Sequence, residues 1–303
     1  MKLNSLSVGY NKCGQDFFDL LKIYRPFIYS YFFHPFHGEN FEDRYPENFL
    51  KNLQDLNTYN IQANILFNFL REDNYETIYK IVSELLENQK INLTQITLCS
   101  LETAEKIKKN FPQLETHLTV HYSNIYDFKN LVGIFDVVNL SGIYDFNNFE
   151  KIQELKSLGI KVKYILNKGC IINRQSNYLD FVDREKIDCD FCHQACLSLS
   201  KRFPWLKLAR CVYFKEMIDK YFQMIDIWKL PTREVPLSSL QQDLHYYCIE
   251  KKTSFLEDLQ LSDLSYPIFL EWLDSKVNNC KGFCKNCDIC KNFYERLIDA
   301  DKS

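Results

Sequence analysis

The sequence predicts a TIM-like (β/α)8 barrel, and three observations carry that prediction. Short β-rich runs alternate with amphipathic helical stretches from the start to about residue 250. Eight such β/α repeats suit a single chain of 303 residues. The glycine loops of the rival doubly wound sheet, G-x-G-x-x-G and G-x-x-x-x-G-K-[ST], follow none of the strands. Composition agrees, with 46% hydrophobic and 25% charged residues, which excludes disordered and collagen-like chains. A net charge of −3 excludes a protein that grips nucleic acid through bulk positive charge.

The strand-like runs are residues 3–10, 28–35, 62–69, 93–99, 116–122, 136–141, 161–167 and 224–231. Helical patterns lie between most of them, at 46–56, 75–87, 101–111 and 149–158. In the second of these, Ile78, Ile81, Val82 and Leu85 keep the spacing of one buried helix face. Ser100 precedes the third as its expected N-cap, although Glu102 stands one position too early for a full capping box. An insertion at about 170–223 follows the seventh strand within a barrel spanning 1–252, and a helical extension occupies 253–303.

Catalytic groups in a barrel sit where strands end and βα loops begin. Those positions hold His34 and His37, Asn68, Cys99, His121, Asn139 with Ser141, Asn167, Lys229 and Arg233. Asparagine recurs three times among them, and an amide offers donors and an acceptor without charge. That suits binding a polar ligand more than transferring a proton. His34, Asn68, Asn139 and Lys229 are therefore candidate substrate-binding residues, and His121, Asn167 and Arg233 candidate catalytic ones. Loop caps and solvated polar groups are the ordinary alternative for each.

Cysteine is the compositional outlier, with 12 in 303 residues. That is too dilute for a disulfide scaffold, where about 8–10% is expected. Eight of the twelve cluster: Cys170, then Cys189, Cys192 and Cys196, then Cys280, Cys284, Cys287 and Cys290. Metal sites gather thiolates in this way, whereas disulfide frameworks spread them. The last four form C-x3-C-x2-C-x2-C, close enough together to wrap one 4Fe–4S cluster. Structural zinc, the rival, more often uses two knuckles separated by a longer loop. The first three of these cysteines also match the radical S-adenosylmethionine spacing, but that motif follows the first barrel strand rather than the last. In the middle group, Cys170 or Cys211 would complete a second site with the short run; reduced thiols or zinc are the alternatives. Cys189-Asp-Phe-Cys192-His193 spells the c-type haem motif by coincidence, because no export signal precedes it.

No run approaches ~18 apolar residues and no signal peptide is recognisable, so a cytoplasmic chain without a membrane span is expected. Thiols stay reduced in that compartment. The cation–aromatic segment from Lys201 to Lys215 is compatible with nucleic-acid contact, though a solvated helix face is the commoner explanation. No G-x-S-x-G, H-E-x-x-H or carboxylate pair is present.

Several of these segments, in order, resemble the collagenase-like peptidase family (peptidase family U thirty-two). Ile165-Leu-Asn167-Lys-Gly169-Cys170 resembles its "L-V-N-x-G-C" strand end, and Ile96-Thr-Leu-Cys99-Ser100 with Lys108-Lys-Asn-Phe111-Pro112 its fourth β/α unit. Cys211 with Glu216-Met-Ile-Asp219-Lys-Tyr221 is similar to a cysteine followed by "R-P-E-D-L-x-x-Y". Asp226-Ile-Trp-Lys229-Leu-Pro-Thr-Arg233 resembles its "K-I-x-G-R" strand, and the four-Cys tail after Pro267-Ile-Phe-Leu-Glu-Trp272 one found on some relatives. The resemblance spans about residues 90–295. It implies a TIM-like fold and a buried 4Fe–4S cluster, ligated by Cys170 and Cys211 with two of Cys189, Cys192 and Cys196. It also implies Arg233 binding an acidic substrate. Two positions depart: Ile171-Ile-Asn-Arg174 lacks the cysteine expected soon after Cys170, and Thr232 replaces the glycine before the arginine.

The expected function is an iron–sulfur oxidoreductase with one or two 4Fe–4S clusters. The resemblance implies redox or oxygen-independent hydroxylation-type modification of a small molecule, an RNA base or a peptide. A redox partner or a family-related subunit is the expected companion. A peptidase and a non-catalytic iron–sulfur scaffold or electron-transfer subunit are the alternatives.

Overall fold

The computed structural model describes residues 5–9, 15–33, 49–67, 75–87, 92–119, 126–140, 149–168, 205, 211–212, 214–230, 236–249, 266–280 and 287–300. Eight parallel strands close into a barrel: β1 (Leu6–Gly9), β2 (Ile28–Phe33), β3 (Gln62–Leu66), β4 (Leu93–Leu98), β5 (Glu115–Leu118), β6 (Val137–Leu140), β7 (Lys161–Ile165) and, after the insertion, β10 (Ile227–Leu230). β10 lies between β7 and β1 and closes the ring. The expected TIM-like fold is therefore present, with each barrel strand inside or overlapping its predicted run.

Period-two alternation assigns the two faces of each strand. Outward residues such as Val8, Tyr31, Ile65, Ile96, Leu118, Val138 and Tyr164 are buried beneath the helical layer. That layer contains α1 (Gln15–Tyr24), α2 (Phe49–Thr58), α3 (Tyr75–Glu87), α4 (Leu101–Asn110), α5 (Phe149–Ser157) and, further along the chain, α7 (Leu237–Cys248). Helix α3 has the predicted bounds and buries the four predicted residues. Tyr24 of α1 meets His245 of α7 at 3.4 Å, where the two helices flanking the closure of the ring approach. Between β5 and β6 the described residues contain a single 3-10 turn, Phe128–Leu131, capped by Asp127.

Helix α4 begins at Ser100, whose Oγ accepts a hydrogen bond from the Thr103 backbone N–H at 3.2 Å. Ser100→Ala removes that acceptor and should cost about 1 kcal/mol in chemical denaturation. No loss would mean that water satisfies the helix start equally well. Helix α5 ends on Gly159 at φ 75, the left-handed value glycine adopts without a steric cost, and the chain then turns into β7.

Two aspartates pin the strand register. Asp136, just before β6, accepts the Thr116 backbone N–H of β5 at 2.8 Å and pairs with Lys108 of α4. Asp226, just before β10, accepts the Val162 N–H of β7 at 2.7 Å and pairs with Lys156 of α5 at 2.6 Å. A one-residue slip would lose both bonds and turn every inward side chain outward.

The chain divides into two compact units. The first, residues 1–140, 150–165 and 224–251, contains the barrel. The second combines residues 141–149, 166–223 and 252–303, so the insertion and the tail belong together. It contains an antiparallel ribbon of β8 (Asn167–Lys168) and β9 (Cys211–Val212), and helices α6 (Lys215–Tyr221), α8 (Tyr266–Asn279) and α9 (Ile289–Ala300). Its apolar centre gathers Phe214, Phe269, Trp272 and Phe293; Phe214 meets Phe269 and Trp272 edge to face, and the Trp272 and Phe293 rings lie 4.8 Å apart and nearly parallel. Lys220 and Tyr221 of α6 both bind Asp274 of α8.

The seventh strand ends earlier than the sequence suggests. The chain bends at Leu166, and Asn167 pairs with Val212 in the ribbon rather than extending the barrel. Hydrogen bonding to β9 replaces hydrogen bonding to β6 and β10 at that point. No helix among the described residues is long and apolar enough to cross a membrane.

Candidate functional site

The interiors of such barrels are ordinarily packed with branched apolar side chains. This one is polar. Ser7, Ser30, Asn64, Gln95, Thr97, His117, Asn139 and Lys163 are all buried on inward positions of the strands.

At the N-terminal end the polar groups form one network. Glu115, the first residue of β5, accepts hydrogen bonds from the Tyr29 hydroxyl at 2.8 Å and from Lys161 at 2.6 Å. His117 Nε2 donates to the same carboxylate at 2.8 Å. His117 Nδ1 faces the Asn64 amide nitrogen at 3.2 Å, so it is the acceptor and the imidazole carries its proton on Nε2. The Asn64 amide also donates to Gln95, accepts from the Thr97 hydroxyl at 2.9 Å, and through Gln95 reaches Gln62.

Full burial lowers the pKa of His117 to about 4, against the pull of Glu115. The ring is therefore neutral near pH 7. Burial raises the pKa of Glu115, but its bonds to His117, Lys161 and Tyr29 outweigh that, and the carboxyl stays well below its ordinary value. An ionised carboxylate thus sits among donors that it fully occupies. At this end of a barrel such a network reads as stability.

The C-terminal end is different. Lys163 of β7 and Lys229 of β10 project inward from neighbouring strands, with their ammonium groups 5.6 Å and 4.3 Å from the ring centre of Phe32. Phe32 is the penultimate residue of β2, so the pair lies toward the end where this fold places its chemistry. Lys163 is 2% exposed. Burial, and then the charge of Lys229, lower its pKa well below the ordinary amine value, with Glu115 opposing.

Of the candidate site residues, Lys229 lies in this lysine pair. Asn139 is buried on β6, and its amide donates to the Leu118 carbonyl at 2.6 Å, so part of its capacity goes to joining β5 and β6. His34, Asn68, His121 and Arg233 fall outside the described residues, as do Cys170, Cys189, Cys192, Cys196 and Cys284. Asn167 and Cys211 are described through their backbone alone, in the ribbon, where Cys211 pairs with Lys168. Lys163, Asn64, His117 and Glu115 were not singled out in the sequence. A signal existed for Asn64 and Lys163, since polar residues alternate with apolar ones at 62–65 and 161–164, whereas 115–117 is an unbroken polar run.

In the second unit, Cys280 and Cys290 are buried and Cys287 is half-buried; none is disulfide-bonded. Burial holds the Cys290 thiol pKa up, the Lys276 ammonium and the Trp272 indole pull against that, and Cys280 and Cys287 add to the rise. Lys276 is itself buried, with Nζ 4.7 Å from the centre of the Trp272 ring. Among the described residues the buried Trp272 Nε1–H makes no hydrogen bond of normal geometry, although it is near enough to Cys290 to favour its charged form. Among the described residues, no group of three or more His, Cys, Asp or Glu is gathered closely enough to hold a metal ion.

No family model matches the chain, and no curated protein matches it. A solved structure titled "The Structure of the U32 Peptidase Mk0906" is similar at 10% identity, covering 78% of this chain and 95% of that one, with a TM-score of 0.47.

Proposed function

We propose that the chain is an iron–sulfur enzyme of the redox or oxygen-independent hydroxylation type, with its substrate site at the C-terminal mouth of the barrel. The substrate classes it would serve are a small molecule, an RNA base or a peptide. The observation that carries this reading is the setting of Cys290. A buried cation, and a buried indole N–H that makes no normal hydrogen bond among the described residues, act on a thiol that is itself buried, and Cys280 and Cys287 lie near enough to influence its charge. Burial alone disfavours the thiolate that a metal binds, and cations and N–H donors near sulfur oppose that by stabilising its negative charge. The all-thiol donor set suits iron–sulfur or zinc and does not suit a hard oxygen-liganded cation.

Cys280, Cys284, Cys287 and Cys290 would hold one group. Cys170 and Cys211, with two of Cys189, Cys192 and Cys196, would hold the other. The ribbon register supports the second set, since Cys211 lies opposite Lys168 and Cys170 follows two residues later in the sequence. When bound, a 4Fe–4S cluster supplies single-electron transfer. The protein's own part is to bind and orient. Lys229, Asn139 and Arg233 would fix the substrate, and Trp272 and Lys276 would offset the charge on sulfur.

Anaerobic isolation tests the reading. Brown protein with about eight irons and matching sulfide per chain is the expected result, for two clusters. Cys287→Ala and Cys170→Ala should each remove about half of the iron. Colourless protein with stoichiometric zinc, or with no metal, would overturn it.

A further inference from the structure

Lys163 is not accounted for by the stability of the barrel. In the network at the N-terminal end, the Glu115 carboxylate and both His117 ring nitrogens have partners. At the other end, Lys163 is 2% exposed, and among the described residues nothing accepts a hydrogen bond from its Nζ. Burying a cation without an acceptor is costly, and a second cation alongside adds to the cost. A lysine in that position sheds its proton and becomes a nucleophilic amine, the device by which enzymes activate lysine toward carbonyl compounds. Among the described residues, the charged and titratable groups facing Lys163 are Lys229 on β10, which repels its proton, and Glu115 and His117 on β5. Glu115 attracts the proton, but less than burial and Lys229 act against it, and His117 is neutral.

We propose that Lys163 and Lys229 form an amine site for a small 2-oxo acid, with Lys163 as the nucleophile and Lys229 holding the carboxylate. The proposal rests on the barrel mouth being the substrate site and names the class of ligand it takes. The lone pair of Nζ adds to the carbonyl carbon, forming a C–N bond as the C=O π bond opens. One proton passes from nitrogen to oxygen and a second comes from solvent. The oxygen leaves as water, giving a protonated imine. No oxidant or reductant is consumed. Phe32 supplies an apolar wall beside the new bond, and its ring face attracts the cationic nitrogen.

Pyruvate with sodium cyanoborohydride tests this in the full-length protein. One reduced adduct per chain is expected in the intact mass, mapped by peptide analysis to Lys163. Lys163→Met should abolish that adduct. Lys229→Met should slow labelling at neutral pH by roughly tenfold and move its pH midpoint to higher values, because the repelling cation is gone. Acetone, which lacks the carboxylate, should label Lys163 more slowly than pyruvate does. Adducts scattered over surface lysines, or a mass increase unchanged in Lys163→Met, would overturn the proposal. Should Lys163→Met fail to fold by circular dichroism, the wild-type peptide map decides alone. The trapping reaction needs no iron, so it is read independently of the metal content that tests the cluster.

Discussion

Replacing Glu115 with alanine is expected to cost about 3–5 kcal/mol of folding stability, a large share of the total for a single domain. The carboxylate is 19% exposed and accepts from Tyr29, His117 and Lys161. Its removal leaves the fully buried His117 Nε2–H without an acceptor and takes one from the half-buried Tyr29 hydroxyl, at about 1–3 kcal/mol each. Lys161 is half-exposed and finds water, so its share is small. Glu115→Gln keeps the shape and one acceptor oxygen and should cost less than alanine. Urea unfolding of both variants measures the difference. A loss below about 1 kcal/mol for alanine would mean that water already enters the network.

The same network makes the protein acid-sensitive from an unusually high pH. His117 titrates near 6.5 when unfolded and near 4 in the barrel, so between those values the unfolded chain binds the extra proton. Stability is therefore fully present above about pH 6.5 and falls as pH drops toward 4, by on the order of 3 kcal/mol. Glu115 extends the loss. Its folded value is depressed, so its contribution, present above the ordinary carboxylate range, declines as pH falls below that range. Protonating His117 Nδ1 also removes the acceptor that Asn64 uses, which disturbs the bonds to Gln95 and Thr97. In His117→Gln the slope of stability between pH 6.5 and 4 should flatten. An unchanged slope, or an NMR titration of His117 near 6.5 in the folded protein, would refute this assignment.

The fold was legible because each strand and helix repeats its pattern locally. Ile78, Ile81, Val82 and Leu85 mark the buried face of α3 without reference to any other segment. Ser100 marks the start of α4 in the same way. Strand ends were less legible. Asn167 continues an apolar run in sequence, yet it leaves the barrel because its hydrogen-bond partner is Val212, 45 residues away. Nothing local to Asn167 encodes that choice.

The candidate site was legible in part. Reading strand ends as catalytic positions singled out Lys229 and Asn139, but the same rule passed over Lys163, which lies mid-strand. Asn64 was missed for the same reason, four residues before Asn68 and inside β3. A polar residue within a strand reads as solvent-facing unless the barrel closes around it.

By itself, the sequence determined the number and order of β/α units and the clustering of the thiols, because periodicity and spacing are properties of the chain alone. The tertiary structure decided which face of each strand is enclosed, since that depends on β10 meeting β1 across more than 200 residues. Closure turns Lys163 and His117 from ordinary charged residues into buried groups with displaced pKa values. Desolvation is a property of the surroundings, and closure of the ring creates those surroundings.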